Sequence, residues 1–177
     1  MLYKGSTKIK DVYFGSTKIK EIYKGSTLLY SSSGGGGYPS GTVLFESATA
    51  GTHTLQVDFD CTIHLDLVGG GGGGMTVTRG GEGAYISGNM SLSAGSYTII
   101  VGAKGNSDSN GGDSSFENNI AGGGKSNGNG GTATVVKAGL TGQNGASQST
   151  NGWINGYGAG GRARKAGTNG YCKIEVV

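Results

Sequence analysis

From Leu55 to Leu67 every odd position is apolar or cysteine and every even position is polar, and the chain then runs into six consecutive glycines, Gly69 to Gly74. A strict period of two puts Leu55, Val57, Phe59, Cys61, Ile63, Leu65 and Leu67 on one face of a sheet and Gln56, Asp58, Asp60, Thr62, His64 and Asp66 on the other. Six glycines have no side chains with which to specify anything, so their order must come from what packs around them. The junction therefore predicts a β-sandwich that carries a glycine scaffold. The alternating run is longer than an ordinary strand, and a bend or turn near Asp58 to Asp60 is expected to divide it in two.

Strand signals cover Thr42–Glu46, Gly51–Val68, Thr76–Thr78, Ala84–Ser93, Ser96–Val101, Thr132–Lys137 and Gly170–Val177, with no helical period anywhere. The last strand repeats the alternation with Cys172, Ile174 and Val176 inward. The fold class that follows is all-β, a sandwich closed by its C-terminal strand. Between the strands lie glycine-rich loops. The chain has 40 glycines in 177 residues, where average usage of about 7% would give roughly 12. A single proline, Pro39, and the lack of a sustained Gly-X-Y period exclude a collagen triple helix.

Loops this long are functional, disordered, or held by something outside themselves. Glycine loses the most backbone entropy on ordering, so ordered loops would need dense hydrogen bonding between segments to offset the loss. Polyproline-II geometry supplies it, since it has three residues per turn and no internal hydrogen bonds, leaving every donor free for a neighbour. The expected structural glycine layer consists of Gly69, Gly70, Gly71, Gly72, Gly73 and Gly74 together with Gly122, Gly123 and Gly124.

Residues 2 to 31 form an internal repeat of ten, seen in Tyr3-Lys4-Gly5-Ser6-Thr7-Lys8, Tyr13-Phe14-Gly15-Ser16-Thr17-Lys18 and Tyr23-Lys24-Gly25-Ser26-Thr27-Leu28. Each unit joins a β-rich patch to a Gly-Ser-Thr turn. Ten residues cannot bury an apolar face alone, so 1–31 reads as a β-repeat segment for oligomerisation or attachment. Residues 32–41 have the composition of a Gly/Ser linker, and 42–177 form the glycine-rich β-sandwich domain.

Charged residues make up 14% of the chain and the formal charge is +3, which argues neither for a charged disordered tail nor for a nucleic-acid partner. No stretch approaches the 18 apolar residues of a membrane span. The start, Met1 to Lys8, has no apolar leader segment and no small-residue cleavage site, so ordinary secretion through a signal peptide is not expected. Cys61 and Cys172 fall in the apolar phase of strands and read as buried free thiols, with a bridge open if the strands are neighbours.

The two histidines, His53 and His64, are eleven apart with His53 inward and His64 outward. They sit in no metal-ligand spacing, so neither a metal nor a cofactor is expected. No serine has an evident base, Gly80-Gly81-Glu82-Gly83 lacks the Gly-Lys-Ser/Thr of a phosphate loop, and Asp58, Asp60 and Asp66 fit a solvated face. The chain reads as a non-enzyme. Binding fits better: Trp153, Tyr157, Arg162, Arg164 and Lys165 cluster in a Gly/Asn-rich loop, and such rings stack on sugars while guanidiniums bond hydroxyls and phosphates. Against this stands packing of Trp153 and Tyr157 on the glycine bundle. Phe116 reads as a core plug.

Gly51-Thr52-His53-Thr54-Leu55-Gln56-Val57, Leu67-Val68 into Gly69 to Gly74, Gly95-Ser96-Tyr97-Thr98-Ile99-Ile100-Val101, Gly111-Gly112-Asp113-Ser114-Ser115-Phe116 and Ala121-Gly122-Gly123-Gly124 together resemble the glycine-rich domain of bacteriophage tail-fibre and tail-tip receptor-binding proteins. The similarity covers roughly residues 42 to 177, and the N-terminal decamers look like repeats of phage structural proteins. The resemblance implies a jelly-roll-like β-sandwich with polyglycine loops. It also implies a virion location in the tail, adhesion to a host-surface glycan or protein, trimeric assembly, and attachment to other tail proteins through residues 1–31. A head fibre, capsid decoration or tail scaffold protein is the alternative. Loops 125 to 151 depart from the pattern by mixing Asn, Ser, Thr and Gln with glycine.

Overall fold

The computed structural model describes residues 37–177 throughout and, ahead of them, only the backbone of six short strands. Those strands, β1 (Tyr3–Lys4), β2 (Thr7–Lys8), β3 (Tyr13–Phe14), β4 (Thr17–Lys18), β5 (Glu21–Lys24) and β6 (Thr27–Ser31), pair as three antiparallel ribbons. Lys4 lies opposite Thr7, Phe14 opposite Thr17 and Lys24 opposite Thr27, so each decamer pairs with itself across its own Gly-Ser, a sequence suited to a two-residue hairpin loop. The strand-and-turn expectation thus takes a specific form, a hairpin within each unit. The linker expected at 32–41 falls partly outside the described residues, at Ser32 to Gly36. Its second half belongs to the head: Tyr38 packs edge-on against Phe59, accepts a 2.7 Å bond from Asp58 N–H, and Gly41 N–H bonds to Val176 O.

Ten strands build the head: β7 (Val43–Ser47), β8 (Gly51–Val57), β9 (Cys61–Val68), β10 (Tyr85–Leu92), β11 (Gly95–Val101), β12 (Ser114–Phe116), β13 (Asn119–Ala121), β14 (Ala133–Thr134), β15 (Leu140–Gln143) and β16 (Tyr171–Val176). They form two antiparallel sheets of five, ordered β15-β10-β9-β16-β7 and β14-β13-β12-β11-β8. The fold is all-β, a sandwich. Leu55, Val57, Ile63, Leu65, Leu67, Ile86, Ile99, Val101, Phe116, Cys172 and Ile174 fill the space between the sheets, each at most 5% exposed.

The alternating run breaks where expected, but its halves do not pair with each other. β8 joins one sheet through β11, and β9 joins the other through β10 and β16. The apolar phase survives because the inner faces of both sheets meet the same core. A second crossing, from β10 to β11 at Ser93 and Ala94, runs beside the first, and Asp60 Oδ1 accepts Ala94 N–H at 2.7 Å to tie the two corners together.

Two strand expectations and one burial expectation need correction. Thr76–Thr78 is a bend with Val77 89% exposed. Thr132–Lys137 keeps only Ala133–Thr134 in the ladder, because Asn119 Oδ1, fully buried, takes the N–H groups of Val136 and Lys137 at 3.0 and 3.2 Å. Cys61 is half-buried rather than buried, and both thiols are free. In register, Cys61 lies opposite Leu92 at the start of β9 whereas Cys172 lies opposite Leu67 near its end, too far apart for a bridge.

Candidate functional site: the glycine bundle and its tip

Antiparallel order sends every second connection to the same end of the sandwich. At one end β8–β9, β10–β11, β12–β13 and β14–β15 join by short links; at the other, β9–β10, β11–β12, β13–β14 and β15–β16 join through the glycine-rich segments. The glycine clusters of the sequence therefore converge in space.

Gly69 to Gly74 forms the axis of this bundle, buried throughout. Its N–H donors turn through three directions with a period of three. Gly69 and Gly72 bond to Ala84 O and Gly81 O at 2.9 and 3.0 Å, Gly70 and Gly73 to Gly112 O and Ser109 O at 2.9 and 2.8 Å, and Gly71 and Gly74 to Thr168 O and Lys165 O at 2.9 and 2.8 Å. Its carbonyls face three further segments: Gly70 O accepts from Gly124, Gly71 O from Gly105 and Gly72 O from Gly161. This is the threefold periodicity of a polyproline-II helix, which has no internal bonds and takes all its partners from neighbours. Six segments surround the axis, and none leaves room for a side chain. A Cβ on Gly73 would lie 1.6 Å from Asn106 O, and one on Gly71 1.9 Å from Ala159 O. Gly122, Gly123 and Gly124 are held likewise, with Cβ approaches of 2.6, 2.1 and 2.0 Å to backbone oxygens.

Polar side chains complete the bundle where glycine stops. Ser114, fully buried at its base, donates to Val68 O at 2.6 Å and accepts Gly102 N–H at 2.8 Å. Glu82, 5% exposed, accepts Ala146 N–H through Oε2 at 3.1 Å and Ser149 Oγ through Oε1 at 3.2 Å, so the mixed segment 144–149 is tied in as well.

The five residues expected to form one binding cluster separate into two groups. Trp153 and Tyr157 sit at the base, on the outer face of the β9-containing sheet. Trp153 stacks on Tyr85 and donates to Gly83 O, and Tyr157 lies parallel to Tyr171 at 4.9 Å. Arg162, Arg164 and Lys165 are exposed at the far end, in the turn that follows the 158–161 segment. Lys165 N–H bonds to Arg162 O, and Arg164 N–H to Met75 O. Gly83 N–H bonds to Gly158 O near the base and Gly80 N–H to Gly161 O nearer the tip, so Tyr157 and Arg162 flank opposite ends of the 158–161 segment. The aromatic pairs are thus a clamp on the bundle, and the cations belong to its tip.

The tip gathers turns 75–79, 106–109, 125–129, 146–149 and 162–165. Gly80 N–H bonds to Gly161 O, which brings Arg79 beside Arg162, and Gly81 N–H bonds to Lys125 O. Arg79 and Lys125 are tip residues that the sequence did not single out; their only sequence signal is a position between two glycine clusters.

On the β9 sheet face, Ser87 Oγ lies 3.1 Å from His64 Nε2 and 3.0 Å from Asp66 Oδ1, and His64 Nδ1 lies 2.7 Å from Asn89 Oδ1. A serine does therefore have a nearby base, contrary to expectation. Strand β10 is paired on both sides there, with Ser87 opposite Thr141 and Asp66, so no pair of free backbone N–H groups faces Ser87 to hold an oxyanion. Tyr85 Oη also donates to Asp66, and burial together with that bond pushes its phenol up. The group reads chemically as a cross-strand hydrogen-bond ladder. Among the described residues no set of three His, Cys, Asp or Glu side chains could hold a metal ion, and no helix is long and apolar enough to cross a membrane.

No family model matches the chain, and no curated protein matches it either.

Proposed function

We propose that this chain is a virion structural protein of a phage tail, at the fibre or tip, that binds the host surface non-covalently and without catalysis. The observation that supports this most is the tip itself: exposed, side-chain-bearing turns held by a bundle whose backbone is fixed on every side. Recognition loops on a rigid scaffold bind with little ordering cost. The partner is a surface glycan or protein, the N-terminal hairpin repeats serve attachment to other tail proteins, and a homotrimer would multiply weak contacts by avidity. Purified full chain is expected to bind host cells and to compete with phage adsorption. Absence of both effects would remove the adhesin role, and a monomer at micromolar concentration would remove the trimer.

A second reading, a head fibre, capsid decoration or tail scaffold protein, has one observation in its favour. The outer face of the β11-containing sheet carries Ile100 and Ile120, 41% and 38% exposed, among Thr and Ser side chains. A neighbouring subunit in a virion would cover such a face, and adsorption would then be indifferent to tip substitutions.

A further inference from the structure

The tip concentrates charge that nothing in the head neutralises. Arg79, Arg162, Arg164 and Lys165 are exposed and Lys125 is half-buried, against Asp108 as the one acid in these turns. That excess is larger than the formal +3 of the whole chain. The ion pairs of the described residues, Lys137–Glu117, Lys173–Glu175 and His64–Asp66, include none of the five. Clustered like charges raise the energy of the free protein, so their convergence on one surface is explained best by an anionic partner.

Backbone conformation points the same way. Three tip turns hold a side-chain-bearing residue in the left-handed region, Asp108 at φ 64°, Gln148 at φ 49° and Arg164 at φ 58°. That region disfavours Arg and Gln and suits glycine. In a chain with 40 glycines, the absence of glycine at these places means the side chains are worth the strain. Arg164 is the clearest case. Its N–H bonds to Met75 O and Lys165 N–H to Arg162 O, so the backbone of the turn is fixed, and exposed Arg164 shares the turn with Arg162 while Gly80 N–H to Gly161 O sets the backbone of Arg79 alongside. Planar guanidinium forks match the paired oxygens of a phosphate, and the surrounding Asn106, Asn127, Asn129 and Gln148 can bond hydroxyls.

On the reading that the chain is an adhesin, we propose that its tip binds a phosphate-bearing anionic glycan through Arg79, Arg162, Arg164 and Lys165.

The test titrates the full chain against dextran phosphate, with neutral dextran, polygalacturonate and duplex DNA as parallel probes. Dextran phosphate is expected to bind most tightly, and to weaken as NaCl is raised from about 50 to about 500 mM, because exposed charges are screened beyond roughly a Debye length. Arg164→Gly is expected to weaken that binding about tenfold, the loss of one bidentate contact. It also relieves the left-handed strain, so the thermal midpoint should stay level or rise, which separates lost binding from lost folding. Unchanged binding by Arg164→Gly would overturn the proposal. So would neutral dextran binding as well as dextran phosphate, and so would equal affinity for polygalacturonate or DNA, which would mark a generic polyanion surface. The adhesin role is judged separately, by competition with phage adsorption. Binding to dextran phosphate through Arg164 without any such competition would remove the adhesin role and leave the anion site in place.

Discussion

Trp153 Nε1 donates a 2.6 Å hydrogen bond to the carbonyl oxygen of Gly83 while its ring stacks on Tyr85 with centroids 5.2 Å apart. One side chain thereby fastens the loop before the last glycine excursion to the first excursion and to the sandwich. Trp153→Phe keeps the stack and leaves Gly83 O without its donor, at an expected loss of about 1–2 kcal/mol. Trp153→Ala removes both, and about 3 kcal/mol is expected. Urea midpoints check the order. A loss under about 0.5 kcal/mol for Trp153→Ala would show that the clamp does not hold the bundle.

Substitution on the bundle axis is expected to be severe however small the residue. Gly73→Ala places a Cβ 1.6 Å from Asn106 O, which is backbone and cannot swing aside. The destabilisation should reach or exceed the upper end of ordinary overpacking, about 3 kcal/mol. Gly37→Ala has nothing within 4 Å and is the matched control. Calorimetry on both variants gives the comparison, and equal midpoints would contradict a packed axis.

Glu82 accepts from two donors, and an amide in its place keeps one acceptor oxygen and loses the charge that strengthens both bonds. Glu82→Gln is expected to cost about 1–3 kcal/mol and to loosen the 146–149 turn. Hydrogen exchange at Ala146 N–H reads this directly; unchanged protection would mean that the carboxylate is not the anchor.

Alkaline pH should weaken the fold. Burial, and then the bond each donates to a carboxylate, raises the phenols of Tyr171 (to Glu46) and Tyr85 (to Asp66) above their ordinary 10.0. Burial and then the charge of Asp66 raise the Cys172 thiol above its ordinary 9.0. Folding favours the neutral form of each, so their contribution is complete below those ordinary values and is lost as pH climbs past them. Denaturant midpoints should hold from pH 7 to about 9 and fall above it. Tyr171→Phe should flatten the fall; an identical profile would rule out the Tyr171–Glu46 pair as a cause.

Much of the sandwich was legible because its signals are local. The alternation around Leu55 to Leu67 states which side chains share a face whatever they pack against, and it broke at Asp58 to Asp60 as polar turn residues suggest. β12, β13 and β15 were not legible. Ser114–Phe116 and Asn119–Ala121 are three residues each, too short for a period, and they exist as strands because β11 offers an edge. Thr76–Thr78 misled in the opposite sense: its β-branched run has no partner strand at the tip and bends instead. The binding cluster separated for a similar reason, since nearness in sequence from Trp153 to Lys165 is lost when the 158–161 segment runs from the base of the bundle to its tip.

The all-β class, the inward and outward phase of the long strands and the need for Gly69 to Gly74 to be held by their surroundings can all be read from the chain alone. Side-chain period and the absence of Cβ are properties of a chain segment and its immediate neighbours. Long-range packing is what sends β8 and β9 into opposite sheets, encloses the glycine axis in six segments and brings Arg79 to the same tip as Arg162 and Arg164. A polyproline-II helix makes no hydrogen bonds to itself, so the partners that order it come from remote parts of the chain, and no local pattern can name them.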